Sequence, residues 1–152
     1  MISIKLADFN DPALTSFIRD HITDMKPTAP NESRHALDLE TLQTPTVRLW
    51  TAHIDDEIVG TVALVEIDLK HAELKAMRTA PRCRRQGIAA KLLEHALVDA
   101  SSRGLSRVSL ETGAASFFAA AHALYRKAGF QDSGPFGRYS EDPHSVFMTR
   151  TL

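Results

Sequence analysis

The sequence predicts one domain of the mixed α/β class, and three observations carry that reading. At 152 residues the chain is long enough to bury a sizeable core as one unit. β-Branched and apolar runs crowd its middle, as strands do. A strand, a helix and a second strand then follow one another between residues 73 and 111, the order that builds a layered sheet.

The elements follow in chain order. "ISIKLA" (2–7) alternates apolar and polar like an edge strand, and "DPALTSFIRDHITDM" is a helix with Pro12 in its first turn. "PTAPNES" is a loop, and "SRHALDLETL" is a short second helix with Ala36, Leu37, Leu39 and Leu42 as its apolar face. "VRLWTAH" and "IVGTVALVEIDL" form a hairpin around "IDDE", with Leu49 and Trp50 as core residues. "AELKAMRT" is the next strand. "GIAAKLLEHALVDASSRG" is a helix whose Ile88, Leu92, Leu93, Ala96, Leu97 and Ala100 fall on one face, ending at Gly104. "SRVSLE" is a strand, "SFFAAAHALYRKAG" a helix and "SVFMTRTL" a closing strand.

Composition narrows the partners. The chain is 43% hydrophobic and 24% charged with a formal net charge of -1, so no global field recruits nucleic acid and any cationic site is local. No apolar run reaches the roughly 18 residues of a membrane helix, and "MISIKLADFN" lacks the pattern of a signal peptide. A cytoplasmic protein with no membrane partner is expected. With Cys83 as the single cysteine and no ligand-like pairing among seven histidines, no disulfide and no metal site are expected.

The local cationic site is "MRTAPRCRRQGIAAKLLEHAL" (77–97). A helix start leaves backbone N–H groups without partners and carries partial positive charge, so it binds anions. Gly87 removes the side chain where an anion must approach, Ala89 and Ala90 keep the first turn uncrowded, and Arg84 and Arg85 add charge. The turn suits a phosphate or pyrophosphate; a solvated arginine loop is the bland alternative. Neither the P-loop pattern nor the G-x-G-x-x-G fingerprint is present.

"RRQGIA" (84–89) resembles the R/Q-x-x-G-x-G/A signature of the GNAT acetyltransferase superfamily, with a strand and proline before it and an amphipathic helix after it. "ALYRKAGF" (123–130) resembles that family's L-Y-x-x-x-G-F segment, and "HALDLE", "LETG" and "PFGRY…DPHSVFM" are similar to a branch of small bacterial members of poorly defined substrate. The resemblance implies a GNAT-like fold spanning 1–152, with a mixed central sheet, flanking helices and a splayed cofactor-binding strand pair. It implies acetyl-coenzyme A as co-substrate, lying against the opened strand at 73–79. Its pantetheine arm would pair with the backbone of Met77, Arg78 and Thr79. Its pyrophosphate would rest on the turn formed by Arg84, Arg85, Gln86, Gly87, Ile88, Ala89 and Ala90.

Acetyl transfer to an amine needs a neutral nucleophile, a donor for the oxyanion and a partner for the departing sulfur. In histone-acetylating members of the family a glutamate base holds the position equivalent to Glu73, which makes Glu73 the expected base. Glu111, at the end of the next strand, or an ordered water are the alternatives. The backbone N–H of Met77 serves the oxyanion if its strand carries the family's bulge. Tyr125 holds the family's tyrosine position and is expected to hydrogen-bond the sulfur. The family often has asparagine where this chain has Phe118; Phe117 and Phe118 are expected to pack in the core rather than on the cofactor arm. Cys83 reads as an inert loop thiol beside the anion turn. Arg34, His35 and Glu40, and late in the chain Arg138, Tyr139 and Asp142, read as solvated positions with an acceptor contact as the alternative. The function expected is transfer of an acetyl group to a primary amine of a small molecule, by direct attack in a ternary complex. A non-catalytic acyl-coenzyme A sensor and a protein lysine or N-terminal acetyltransferase are the alternatives, and the resemblance also implies a tendency to homodimerise.

Overall fold

The computed structural model describes residues 1–25 and 39–152. Its seven strands are β1 (Ser3–Leu6), β2 (Val47–Ile54), β3 (Glu57–Glu66), β4 (His71–Thr79), β5 (Arg107–Gly113), β6 (Gln131–Ser133) and β7 (Ser145–Thr151). They form one sheet in the order β1-β2-β3-β4-β5-β7-β6. The β4–β5 pair is parallel and every other pair antiparallel. The hairpin around "IDDE" and the edge position of β1 match the sequence reading. β6 does not, because "QDS" is three polar residues with no alternation to mark it.

Side-chain alternation sorts the sheet into two faces. Trp50, Val62, Leu64, Ala72, Leu74, Val108, Leu110 and Met148 belong to the core under α3 (Ile88–Ser102). Leu49 and Ala63 face the other way, onto Leu14 and Ile18 of α1 (Pro12–Met25) and Leu42 of α2 (Leu39–Leu42). The upstream half of the predicted second helix, with Ala36 and Leu37, and the loop "PTAPNES" lie outside the described residues. In α3 all six expected apolar residues are buried. Each fully buried leucine there contributes about 2 kcal/mol, so packing, not the anion turn, anchors the helix. The last predicted helix begins with a 3-10 turn, Ser116–Phe118, before α4 (Ala119–Lys127). Among the described residues no helix is long and apolar enough to cross a membrane.

Candidate active site

The site starts where the parallel pair ends. β4 and β5 pair from His71↔Arg107 to Leu74↔Leu110, and their ladder goes no further although β4 runs on to Thr79. Against β3 the register shifts, from Ala63↔Lys75 to Thr61↔Arg78, so β4 carries an extra residue. That bulge contains Ala76 at φ 53, a left-handed conformation uncommon for a residue with a side chain. Thr61, fully buried, donates from Oγ1 to the Ala76 carbonyl at 2.7 Å and pins it. Unbroken alternation sends Met77 to the face of Glu73 and Lys75. The bulge reverses that: Ala76 packs toward α1, and Met77 joins the core under α3.

Beyond Thr79 the chain makes a 3-10 turn, Pro81–Cys83, and then two left-handed residues, Arg85 (φ 67) and Gly87 (φ 80), on either side of Gln86. Gly87 caps α3 with no side-chain hydrogen bond at that end, and a Cβ on it meets nothing within 4 Å. The N–H groups of the first turn therefore face open space. A cleft of about 580 Å³ lies over them, lined by Met77, Arg78, Thr79, Arg84, Arg85, Gly87, Ile88, Ala89 and Ala90. Those nine are the residues predicted to hold the cofactor, less Gln86. Gln86 is exposed and does not line the cleft; at its position the backbone rather than the side chain shapes the turn.

The facing wall is aromatic. Tyr125, Phe117 and Phe118 line the cleft together with Cys83. Phe118 was expected in the core; it is half-buried, and Phe117 is 56% exposed. The cause is Gly113 at the end of β5, where a Cβ would stand 2.1 Å from the Phe118 ring. Lacking one, β5 lets the ring come close to its backbone, and Phe117 stacks edge-on at 5.0 Å. Tyr125 is buried against Phe130, with ring centroids 5.9 Å apart. Burial pushes its phenol far above the ordinary tyrosine range, so it stays protonated.

Glu73 lies on the opposite face of β4 and lines a second cavity of about 570 Å³ with Val65, Phe136, Arg138, Tyr139 and Asp142. It is 8% exposed. Tyr139 Oη donates to its Oε2 at 2.5 Å, Lys75 Nζ approaches the same oxygen at 3.3 Å, and Lys75 also donates to Tyr139 Oη at 2.8 Å. Glu111 accepts a 2.7 Å hydrogen bond from Ser145 Oγ. Tyr139 was expected as a solvated loop residue and is instead half-buried in this cluster, because Phe136 and Phe147 pack against its ring at 5.1 and 5.5 Å. Nothing in periodicity marks a contact across 66 residues. Arg138 and Glu40 are exposed as expected, Asp142 accepts the His144 N–H at 2.8 Å, and Arg34 and His35 lie outside the described residues.

One bulged strand thus lines two cavities, one over a bare helix start of the kind that suits a phosphate-bearing carrier and the other holding a buried carboxylate. Group transfer from such a carrier is the class of chemistry this arrangement defines. The chain belongs to the acetyltransferase (GNAT) family, whose sequence model matches residues 15–130. It is 45% identical to the uncharacterized N-acetyltransferase YedL of Escherichia coli (strain K12), over all of this chain and 96% of that one. It is 42% identical to an IAA acetyltransferase of Azospirillum brasilense, over 81% of this chain and 80% of that one. A GNAT acetyltransferase of Elizabethkingia anophelis, solved with acetyl-CoA bound, shares the fold with a TM-score of 0.67 at 19% identity, covering 99% of this chain and 98% of that one. The protein is accordingly an enzyme, an N-acetyltransferase with the mixed seven-stranded GNAT fold.

Proposed function

We propose that the enzyme transfers the acetyl group of acetyl-CoA to a primary amine of a small molecule, by direct attack in a ternary complex. The observation that carries this reading is the single cleft that joins the opened strand, the bare helix start and Tyr125. Its residues fit the co-substrate. The first-turn amides of α3, from Ile88 to Ala90, with Arg84 and Arg85 beside them, suit a pyrophosphate, and the open space over Gly87 leaves room for it. Met77 to Thr79 offer strand backbone to the amide-bearing pantetheine arm, and the apolar wall of Phe117 and Phe118 covers its methylenes.

Acetyl-CoA supplies a thioester carbonyl; the chain supplies the rest. The bulge at Ala76 turns Met77 toward the cleft, and its N–H is the donor for the charge that develops on the carbonyl oxygen. Glu73 takes the proton from the acceptor nitrogen as the C–N bond forms. An alkylammonium of pKa about 10.4 needs such a base at neutral pH. As the C–S bond breaks, Tyr125 hydrogen-bonds the sulfur. With its phenol raised by burial, outright proton transfer to a thiolate of about 8.5 is uphill, and hydrogen bonding is its role. The small-molecule acceptor draws support from the relative named for IAA and from a shared fold, at 18% identity and a TM-score of 0.74, with an aminoglycoside 6'-N-acetyltransferase.

The test is thiol release. The protein is incubated with acetyl-CoA and a panel of amino acids, polyamines, aminoglycosides, indolic amines and peptides, and free coenzyme A thiol is followed with a chromogenic reagent. Release with at least one small amine is expected. Release with peptides alone moves the acceptor to a protein, and tight coenzyme A binding with no release for any amine overturns the reading.

A further inference from the structure

The two donors to Glu73 converge on one of its oxygens. Tyr139 Oη and Lys75 Nζ both contact Oε2, and Lys75 braces the phenol from behind. Oε1 takes no hydrogen bond among the described residues and is not fully buried, and Glu73 lines the cavity. A carboxylate torsion is broad and soft, so a carboxylate held at neither oxygen samples many orientations. Two donors on one oxygen remove that freedom and leave the other oxygen aimed.

We propose that Tyr139 and Lys75 are positioning residues, which lock Oε2 of Glu73 so that Oε1 is the atom that takes the acceptor's proton. The inference rests on the reading of Glu73 as base. In the step, the nitrogen lone pair forms the C–N bond as the carbonyl π pair moves to oxygen, an acceptor N–H bond breaks with its proton passing to Oε1, and the C–S bond breaks as the carbonyl re-forms, coenzyme A leaving as the thiolate. Neither Tyr139 nor Lys75 gives or takes a proton. Tyr139 is suited to this because burial, with the Glu73 and Glu111 carboxylates beside it, pushes its phenol far above the ordinary range and keeps it a donor. Its ring is placed independently of the hydrogen bond, by Phe136 and Phe147. Lys75 offsets the charge of a carboxylate whose side chain is 11% exposed. The loop between β6 and β7 therefore reaches the chemistry through Glu73, without touching the cofactor cleft.

A double-mutant cycle tests this. Tyr139→Phe keeps the ring and its packing and loses the hydroxyl. It should lower kcat about tenfold with KM for acetyl-CoA unchanged. Glu73→Gln should lower kcat by about a hundredfold, within the usual range for a lost general base. In the Glu73→Gln background Tyr139→Phe should cost nothing more, because it acts only through that carboxylate. Lys75→Met, which removes the other donor, should show the same loss in kcat and the same silence. Wild-type kcat in Tyr139→Phe, or losses that multiply in the double variant, overturns the positioning role while leaving the base intact. Wild-type kcat in Glu73→Gln overturns the base assignment and the inference with it.

Discussion

Thr61 Oγ1 donates to the carbonyl of Ala76 at 2.7 Å, and through that bond β3 holds the left-handed residue that re-aims Met77. Thr61 has no exposed surface, so the carbonyl it serves loses its partner if the hydroxyl goes. Thr61→Val keeps the shape and strands the carbonyl, at a cost of about 1–3 kcal/mol. The midpoint of urea unfolding should fall accordingly. If the bulge sets the oxyanion donor, kcat should fall more than about fivefold while KM for acetyl-CoA moves little. A destabilised variant with wild-type kcat would separate the bulge from catalysis.

Gly87 is tested by charge and by shape. At φ 80 any side chain is strained by about 1–2 kcal/mol, yet a Cβ there meets nothing within 4 Å. Gly87→Ala should thus fold, with a melting point lowered by a few degrees. Gly87→Glu should fold as well, but it puts an anion where the phosphates belong and should weaken coenzyme A binding at least about a hundredfold by calorimetric titration. Unchanged affinity in the glutamate variant would sink the pyrophosphate assignment.

The cleft was legible because its signals are local. The apolar face of α3, the glycine at its start and the arginines before it all lie within one short stretch, and each has a direct physical consequence. The bulge was not, since the apolar pair Ala76–Met77 that ends the alternation of "AELKAM" fits a strand buried on both faces equally well, and only the partner strand shows that the two together oppose Val62. The family resemblance anticipated it where periodicity could not. Tyr139 was hidden for a different reason: its contacts to Glu73 and Phe147 join distant segments through a loop without regular spacing. Phe118 was misplaced because its position depends on a missing Cβ at Gly113, a contact that no pattern in the turn Ser116–Phe118 reveals.

Tyr125 makes a prediction about both rate and pH. Tyr125→Phe preserves the packing on Phe130 and removes only the hydroxyl, so stability should change by less than about 1 kcal/mol. Loss of the sulfur's hydrogen bond should lower kcat about tenfold or more with little change in KM for acetyl-CoA. Because burial raises the phenol, it remains protonated through the ordinary assay range. Any alkaline fall in wild-type activity below about pH 10 should therefore persist in the phenylalanine variant. Disappearance of that limb would mean that Tyr125 titrates as an acid, contrary to the role assigned to it.

His71 links stability to acid. Its Nε2 and Ser109 Oγ are 2.7 Å apart, and its pKa is lowered first by desolvation and then by Arg107, against the opposing pull of Asp68 and Glu73. Above about pH 6.5 the ring is neutral in both folded and unfolded chains and its titration contributes nothing. As pH falls below that value the unfolded chain binds the proton first, so folding stability declines until pH has passed the lower, folded-state value. His53, lowered by desolvation and by Lys5, acts with the same sign. Urea unfolding at about pH 7.5 and at about pH 5 should show lower stability in acid. His71→Gln should be less stable than wild type at the higher pH, through the lost Ser109 contact, yet lose less on acidification. Equal losses in the two proteins would show that His71 is not among the groups that sense acid.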